Sequence, residues 1–167
     1  YVIPARGLIG FQTEFRTMTS GLGLLFHVFD HYAPVSEREI ASRQNGVMIS
    51  NGQGTVLGYS LFNLQERGKL MCAHGDEVYE GQVIGIHSRE NDLVVNPLKG
   101  KKLTNMRAAG KDENIVLTTP IRYTLEQAME FIEDDELVEI TPSSIRIRKR
   151  ALKEQDRKRS GRASESE

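Results

Sequence analysis

The sequence predicts an α+β protein: a strand–helix–strand unit, then a β-rich compact domain with one capped helix and a long basic loop. Three observations carry that expectation. Short runs with strand patterning, separated by glycine turns, fill residues 46–100. Thr124-Leu-Glu-Gln127 has the form in which two side chains satisfy the orphan N–H groups of a helix start. Between them, residues 96–114 follow neither the period of a helix nor the alternation of a strand.

In chain order, residues 1–4 read as a strand end. Leu8, Phe11, Phe15 and Met18 then recur at helical spacing with Gln12, Glu14 and Arg16 off that face, and Ser20-Gly21 closes the helix. Residues 24–32 read as a strand, with Leu24, Phe26 and Val28 on one face and Leu25, His27, Phe29 and His31 on the other. This first unit, residues 1–33, is too small for a core of its own and needs further sheet, so we expect a piece of a longer protein. Residues 34–45 read as a linker. Residues 47–50 and 55–61, joined by Asn51-Gly52-Gln53-Gly54, read as a hairpin, because Asn-Gly supplies the backbone angles of a tight turn. Further strands at 71–73 and 82–87 flank the turns at Gly75 and Gly81, which implies a small barrel or curled sheet.

The capped helix places Leu125, Ala128, Met129 and Ile132 on its buried face and ends in Glu133-Asp134-Asp135-Glu136, where the helix dipole disfavours acids. Two readings stay open for that cluster: a solvated acidic face, or counter-charge for the basic segment after it. Residues 137–150 read as a strand pair, with Ile145 and Ile147 on one face and Arg146 and Arg148 on the other. The compact domain is thus 46–150, and residues 151–167, nearly all polar, read as a disordered basic tail.

Composition narrows the class. The 167 residues are 38% hydrophobic and 27% charged, with no apolar run long enough to span a membrane and no signal peptide, which predicts a cytoplasmic protein. The lone Cys72 excludes an intrachain disulfide and, after Lys-Leu-Met, reads as a small buried hydrophobe. The net charge of −1 hides a division: residues 1–143 hold 13 Lys/Arg against 19 Asp/Glu, and residues 144–167 hold 9 against 4. No P-loop, H-E-x-x-H, C-x-x-C or G-x-S-x-G pattern occurs, and His27, His31, His74 and His87 show no ligand spacing, so we expect no catalysis, metal or cofactor in this chain. Gly75-Asp-x-Val-x-x-Gly81-Gln82 is like the turn of biotinyl and lipoyl carrier domains, but the hairpin tip lacks the lysine a carrier modifies.

The stretch from 91 to 114 is the candidate site. Between Leu93 and Lys111 it carries Lys99, Lys101, Lys102, Arg107 and Lys111 and no acid. A patternless stretch of about twenty residues within a compact domain is usually functional or disordered. The lysines suit phosphates, while Asn105 and Arg107 suit directed hydrogen bonds to phosphate and 2′-OH groups. Arg146 and Arg148 form a second basic patch, with low-specificity anchoring and simple solvation both open.

Residues 2–11 (Val-Ile-Pro-Ala-Arg-Gly-Leu-Ile-Gly-Phe), 17–21, 49–54, 77–82, 100–107 (Gly-Lys-Lys-Leu-Thr-Asn-Met-Arg) and 144–150 (Ser-Ile-Arg-Ile-Arg-Lys-Arg) resemble the C-terminal portion of the BipA/TypA family of translational GTPases, relatives of elongation factor G. The resemblance covers essentially the whole chain. It implies that residues 1–33 are the second half of the ferredoxin-like fifth domain of such factors and 46–150 the family's own C-terminal domain. It further implies a ribosome partner, through rRNA, A-site tRNA and ribosomal proteins, with the loop at 91–111 reaching the tRNA acceptor end. The family acts in large-subunit assembly and in growth under stress. GTP and Mg would belong to a G domain outside this chain, together with the other N-terminal domains. A second reading is a protein-interaction or regulatory module that acts on the GTPase domain through the acidic helix.

Overall fold

A computed structural model describes residues 1–8, 11–34, 43–100 and 115–164. Its centre is a four-stranded mixed sheet in the order β3-β5-β1-β6, formed by Gly68–Leu70, Val83–His87, Val47–Ser50 and Leu93–Val95. β1 runs antiparallel to β5 and parallel to β6. Both faces are covered, which is why β1 reads as an unbroken apolar run. Met48, Leu70 and Ile84 point into one cluster with Val56, Leu61, Leu64, Cys72, Val78 and Val95. Val47, Ile49 and Val83 point into the other, with Ala128 and Ile147. A Cβ at Gly85 would lie 2.5 Å from the Met48 side chain and 2.7 Å from the Lys69 carbonyl, so only glycine lets these strands close.

The first face is covered by α2 (Gly58–Leu64) and by the short pair β2 (Gly54–Thr55) and β4 (Glu77–Val78). The expected hairpin at 47–61 is therefore corrected. β1 pairs with β5 and β6, and the residues after Thr55 wind into a helix. Leu57, Leu61 and Leu64 recur at helical spacing, and burying Leu61 and Leu64 in the first cluster outweighs the shorter alternation over 55–61.

The second face is covered by α3 (Leu125–Phe131) and the hairpin β7 (Glu136–Thr141) and β8 (Ser144–Lys149). α3 starts with the expected capping box, Thr124 and Gln127 each accepting the other's backbone N–H. It buries Ala128, while Met129, expected inside, is exposed. The hairpin is attached through the Gln82–Arg148 bridge and the Lys149 N–H to Gly81 carbonyl bond of 2.9 Å.

The acids at the end of α3 resolve the open question about them. The Glu136 side chain is 0% exposed and lies between two cations. Arg43 donates to both its oxygens at 2.9 Å, to the Phe131 carbonyl at 3.1 Å and to the Asn45 carbonyl at 2.6 Å, with its guanidinium 4.4 Å from the Phe131 ring centre. Lys149, 1% exposed, reaches Glu136 at 3.0 Å, Asp135 at 2.9 Å and Asp92 at 2.6 Å. Asp92 in turn accepts the Val47 N–H at 2.8 Å, and Glu133 lies 3.3 Å from Arg43. The cluster is counter-charge, to Arg43 of the expected linker as well as to the basic strand.

Outside this domain, η1 (Ala5–Leu8, a 3-10 turn) leads to α1 (Phe11–Met18), close to the expected helix, with the Phe11 and Phe15 ring centres 6.0 Å apart. Ser20 and Gly21 take positive φ and the Gly21 N–H donates to the Arg16 carbonyl, closing the helix where the sequence indicates. The strands expected at 1–4 and 24–32 are not formed. Ladders need a neighbour, and no described residue pairs there, which leaves Leu22, Leu24, Phe26 and Val28 exposed. The tail is also corrected. Glu154–Ser164 forms α4, with acids in its first turn, a Glu154–Lys158 pair one turn apart and its Glu154 N–H donated to Glu80.

Removing the Glu136 carboxylate deprives two buried cations of the one fully buried acceptor they share, leaving Arg43 with Glu133 and Lys149 with Asp92 and Asp135. Glu136→Ala should lower unfolding stability by about 3–5 kcal/mol, read as a lower urea midpoint. Burial alone would raise the Glu136 pKa, but the Arg43 hydrogen bonds and the Lys149 charge hold it below the ordinary 4.5. Its contribution is therefore complete above 4.5 and disappears as the pH falls through the lower folded value. Glu133, raised chiefly by burial, opposes this trend. Glu136→Gln should then flatten the acid limb of the stability profile, and an unchanged acid limb in that variant would refute the account.

Candidate nucleic-acid interface

The basic stretch leaves and re-enters the fold against α2. Where it leaves, the Leu57 N–H donates to the Pro97 carbonyl at 3.1 Å and Ser60 Oγ to the Asn96 carbonyl at 2.5 Å. Asn96 Oδ1 accepts the Leu98 N–H at 2.9 Å, a local turn that fixes the direction of exit. Pro97 is fully buried and Leu98 packs on the first cluster, so the base of the loop is part of the core. Where it returns, Gln65 Nε2 donates to the Val116 carbonyl and Gln65 Oε1 accepts the Thr118 N–H, both at 3.1 Å. Leu117 packs on the same cluster, and the Ile121 N–H donates to the Leu70 carbonyl at 2.8 Å, covering the outer edge of β3.

α2 is thus the fixture for both feet. From Leu57 to Gln65 its axis rises about 12 Å, at about 1.5 Å per residue. The helix starts without a side-chain cap of its own, and His74 Nδ1 sits at that start, 3.1 Å from the Gly58 nitrogen and 3.0 Å from the Val56 carbonyl, so its tautomer decides which of the two it bonds.

The candidate contact residues divide. Lys99 is exposed at the outgoing foot. Lys101, Lys102, Asn105, Arg107 and Lys111 lie outside the described residues. Arg146 and Arg148 share one face of β8, half-buried, each 3.7 Å from the Glu139 carboxylate. Glu139 also accepts the Tyr79 hydroxyl at 2.7 Å, and burial with that bond raises the Tyr79 pKa, which keeps the phenol a donor. The structure does not bring Lys99 together with Arg146 and Arg148. Leu98 packs on one face of the central sheet, and Ile147, between the two arginines, packs on the other.

Other chemistry finds little support among the described residues. Cys72 is buried and its thiol is pushed up to about 12, chiefly by burial, so it stays protonated and inert. Glu133, Asp135 and Glu136 bring ligand atoms within 4.8 Å of one another, but Arg43 and Lys149 already neutralise them. No described helix is long and apolar enough to cross a membrane. Sequence reasoning missed Ser60 and Gln65. The helical spacing of Leu57, Leu61 and Leu64 would have exposed the helix that carries them, whereas nothing local marks Gln65 as a clamp.

Comparison with known proteins adds to this geometry. The profile described as "TypA/BipA C-terminal domain" matches residues 45–154, and that described as "Elongation factor G C-terminus" matches residues 1–43. The protein named "Large ribosomal subunit assembly factor BipA" from Escherichia coli (strain K12) is 68% identical over 163 residues, 98% of this chain and 27% of that protein. The proteins of the same name from Haemophilus influenzae and Buchnera aphidicola are 66% and 60% identical over 166 residues, 99% of this chain and 27% of each. The chain spans about a quarter of the length of these curated relatives.

The clamp at the return foot is testable. Gln65→Ala removes two hydrogen bonds and should cost about 0.5–1.5 kcal/mol. Amide exchange at Thr118 should speed up while that at Val47 and Ile49 stays unchanged; equal acceleration at both places would mean Gln65 supports the core rather than the loop.

Proposed function

The chain belongs to the TypA/BipA family, and on that premise we propose that it is the RNA-contacting C-terminal part of a translational GTPase that acts in assembly of the large ribosomal subunit. The observation that carries this reading is the acid-free basic stretch from Lys99 to Lys111, whose two feet are pinned to the two ends of one short helix. A loop anchored at both ends holds its charges near one place, and localised positive charge is what phosphate recognition requires.

In this reading Lys99, Lys101, Lys102 and Lys111 meet phosphates. Arg107 and Asn105 make directed hydrogen bonds, since the guanidinium fork and the amide have fixed geometry. The RNA is ribosomal RNA and the acceptor end of A-site tRNA, encountered in the cytoplasm, and the response to stress follows from the need to assemble subunits under it. GTP and Mg act in a domain outside this chain. Arg146 and Arg148, each beside Glu139, play at most a supporting part.

The rival reading is a protein module acting on the GTPase domain through the acidic helix. It is weakened because Glu133, Asp135 and Glu136 are engaged by Arg43 and Lys149 within the domain.

Sedimentation with large ribosomal subunits across a salt series tests the proposal. Neutralising three to five phosphates predicts a slope of log affinity against log salt of about −2 to −4. Lys101→Glu with Lys102→Glu should weaken co-sedimentation while leaving Tm nearly unchanged. Undiminished binding by that double variant would remove the loop from the interface.

A further inference from the structure

The β7–β8 hairpin outruns the sheet it covers. Val138 and Ile147 pack into the second apolar cluster, and the same hairpin face continues to the tip. There it carries the cross-strand pair Ile140 and Ile145, which are 61% and 38% exposed. Both line a cleft of about 770 Å³ whose floor includes Met71, Val83, Ala128 and Ile147. The edge of β8 beside this cleft is open as well. The Lys149 N–H points away from β7, to the Gly81 carbonyl, and residues two apart in a strand turn their peptide groups to the same side. The peptide groups of Ile147 and Ile145 therefore also face away from β7. Cover on that side ends at the Gln82–Arg148 bridge, and no described strand pairs with β8 beyond it. Natural edges of this kind are blunted by lysine, proline, a bulge or a covering segment, whereas the residues that meet this cleft are isoleucines.

We propose that the β8 edge and this cleft receive an extended basic peptide of a partner protein. It adds as a strand beside Ile145 and lays an aliphatic side chain on the apolar floor. In such docking the main-chain hydrogen bonds supply affinity and the pocket for alternate side chains supplies specificity. Charge chooses the peptide. Four charged residues line the cleft: Asp76, Glu77, Arg122 and Arg146. Arg146 reaches its rim from the face of β8 opposite Ile147, where Glu139 lies 3.7 Å away. Arg122 donates to Asp76 at 2.9 Å. Glu77 accepts the Thr55 hydroxyl and forms no ion pair among the described residues, so the wall it shares with Asp76 and Arg122 has one negative charge in excess. The body of the chain, with 13 Lys/Arg against 19 Asp/Glu over residues 1–143, adds to that preference. The cleft lies on the second face of the sheet, away from the feet of the basic stretch, so this site stands apart from the RNA-contact reading.

The full chain would be titrated with a short labelled peptide of alternating lysine and valine, following anisotropy and amide exchange. Its counterparts are a glutamate–valine peptide and two N-methylated forms, one methylated at the valine amides and one at the lysine amides. Saturable binding of the lysine peptide is expected. A strand offers only alternate amides to its neighbour, so one N-methylated form should bind about tenfold more weakly and the other close to normally. Glu77→Lys should weaken the lysine peptide about threefold with exchange at Val47 unchanged. The Ile145 amide should exchange fast in the free chain and slowly in the complex. Equal binding by both N-methylated forms and the unmodified peptide would reduce the contact to charge adhesion and overturn the strand pairing. Tighter binding of the glutamate peptide would overturn the basic partner. Slow exchange of Ile145 in the free chain would mean that the chain itself covers the edge, and would remove the site. Absence of saturable binding by any of the peptides would remove it too, with the salt-dependent binding of ribosomal subunits left standing.

Discussion

The carboxylate of Glu136, fully enclosed between Arg43 and Lys149, is the interaction on which the placement of the other parts depends. Burying a carboxylate is costly unless it is paired and hydrogen-bonded, and this one accepts from the Arg43 fork, from Lys149 and from the Glu133 N–H. Each partner belongs to a different part of the chain. Arg43 comes from the segment that enters the domain, Lys149 from the end of β8, and Asp92, which shares Lys149, from the turn before β6. Asp92 also holds the first amide of β1. One charged knot therefore registers the entry of the chain, the central sheet and the hairpin that covers it. Hydrophobic burial is indifferent to direction, so the two apolar clusters alone would not fix the hairpin's angle; ion pairs with defined geometry do.

With the second face of the sheet fixed in this way, the first face is left to α2, and α2 serves the loop. Pro97, Leu98 and Leu117 are core residues as well as loop feet, so these feet cannot shift without disturbing the first apolar cluster. The charged knot and the feet of the basic stretch thus lie on opposite sides of one sheet.

The capping box, the closing turn after α1, the burial of Cys72 and the alternation of β8 were all legible, because each is a local pattern with a local cause. α2 was only partly legible: Leu57, Leu61 and Leu64 recur at helical spacing, but residues 55–61 also fit strand alternation, and the burial of Leu61 and Leu64 favours the helix. The role of the acidic cluster was half legible. Its basic counterpart was visible in β8, but Arg43 lies 93 residues from Glu136 and no local rule links them. Residues 24–32 have strand composition yet form none, since a ladder is a property of two segments and composition describes one. The residues that hold the two feet of the basic stretch, Ser60 and Gln65, carry no local mark of that role.

Charge also has to be sorted by what already uses it. The net charge of −1 and the basic end of the chain suggest two binding patches. Within the described residues, however, Arg43, Arg122, Arg146, Arg148 and Lys149 each lie within 4 Å of a carboxylate. Those pairs cancel much of one another's field beyond a Debye length, about 8 Å at physiological salt. Lys99, Lys101, Lys102 and Arg107 have no carboxylate within four residues of them in the sequence, whereas Lys111 is followed directly by Asp112 and Glu113. On the proposed RNA-contact reading, an otherwise acidic body assists selectivity rather than opposing binding, because it repels a polyanion away from the one long stretch that is free of acids. The two feet of that segment, Asn96–Leu98 and Val116–Thr118, are held at opposite ends of α2, so any polyanion it draws in under that reading is met beside this one helix.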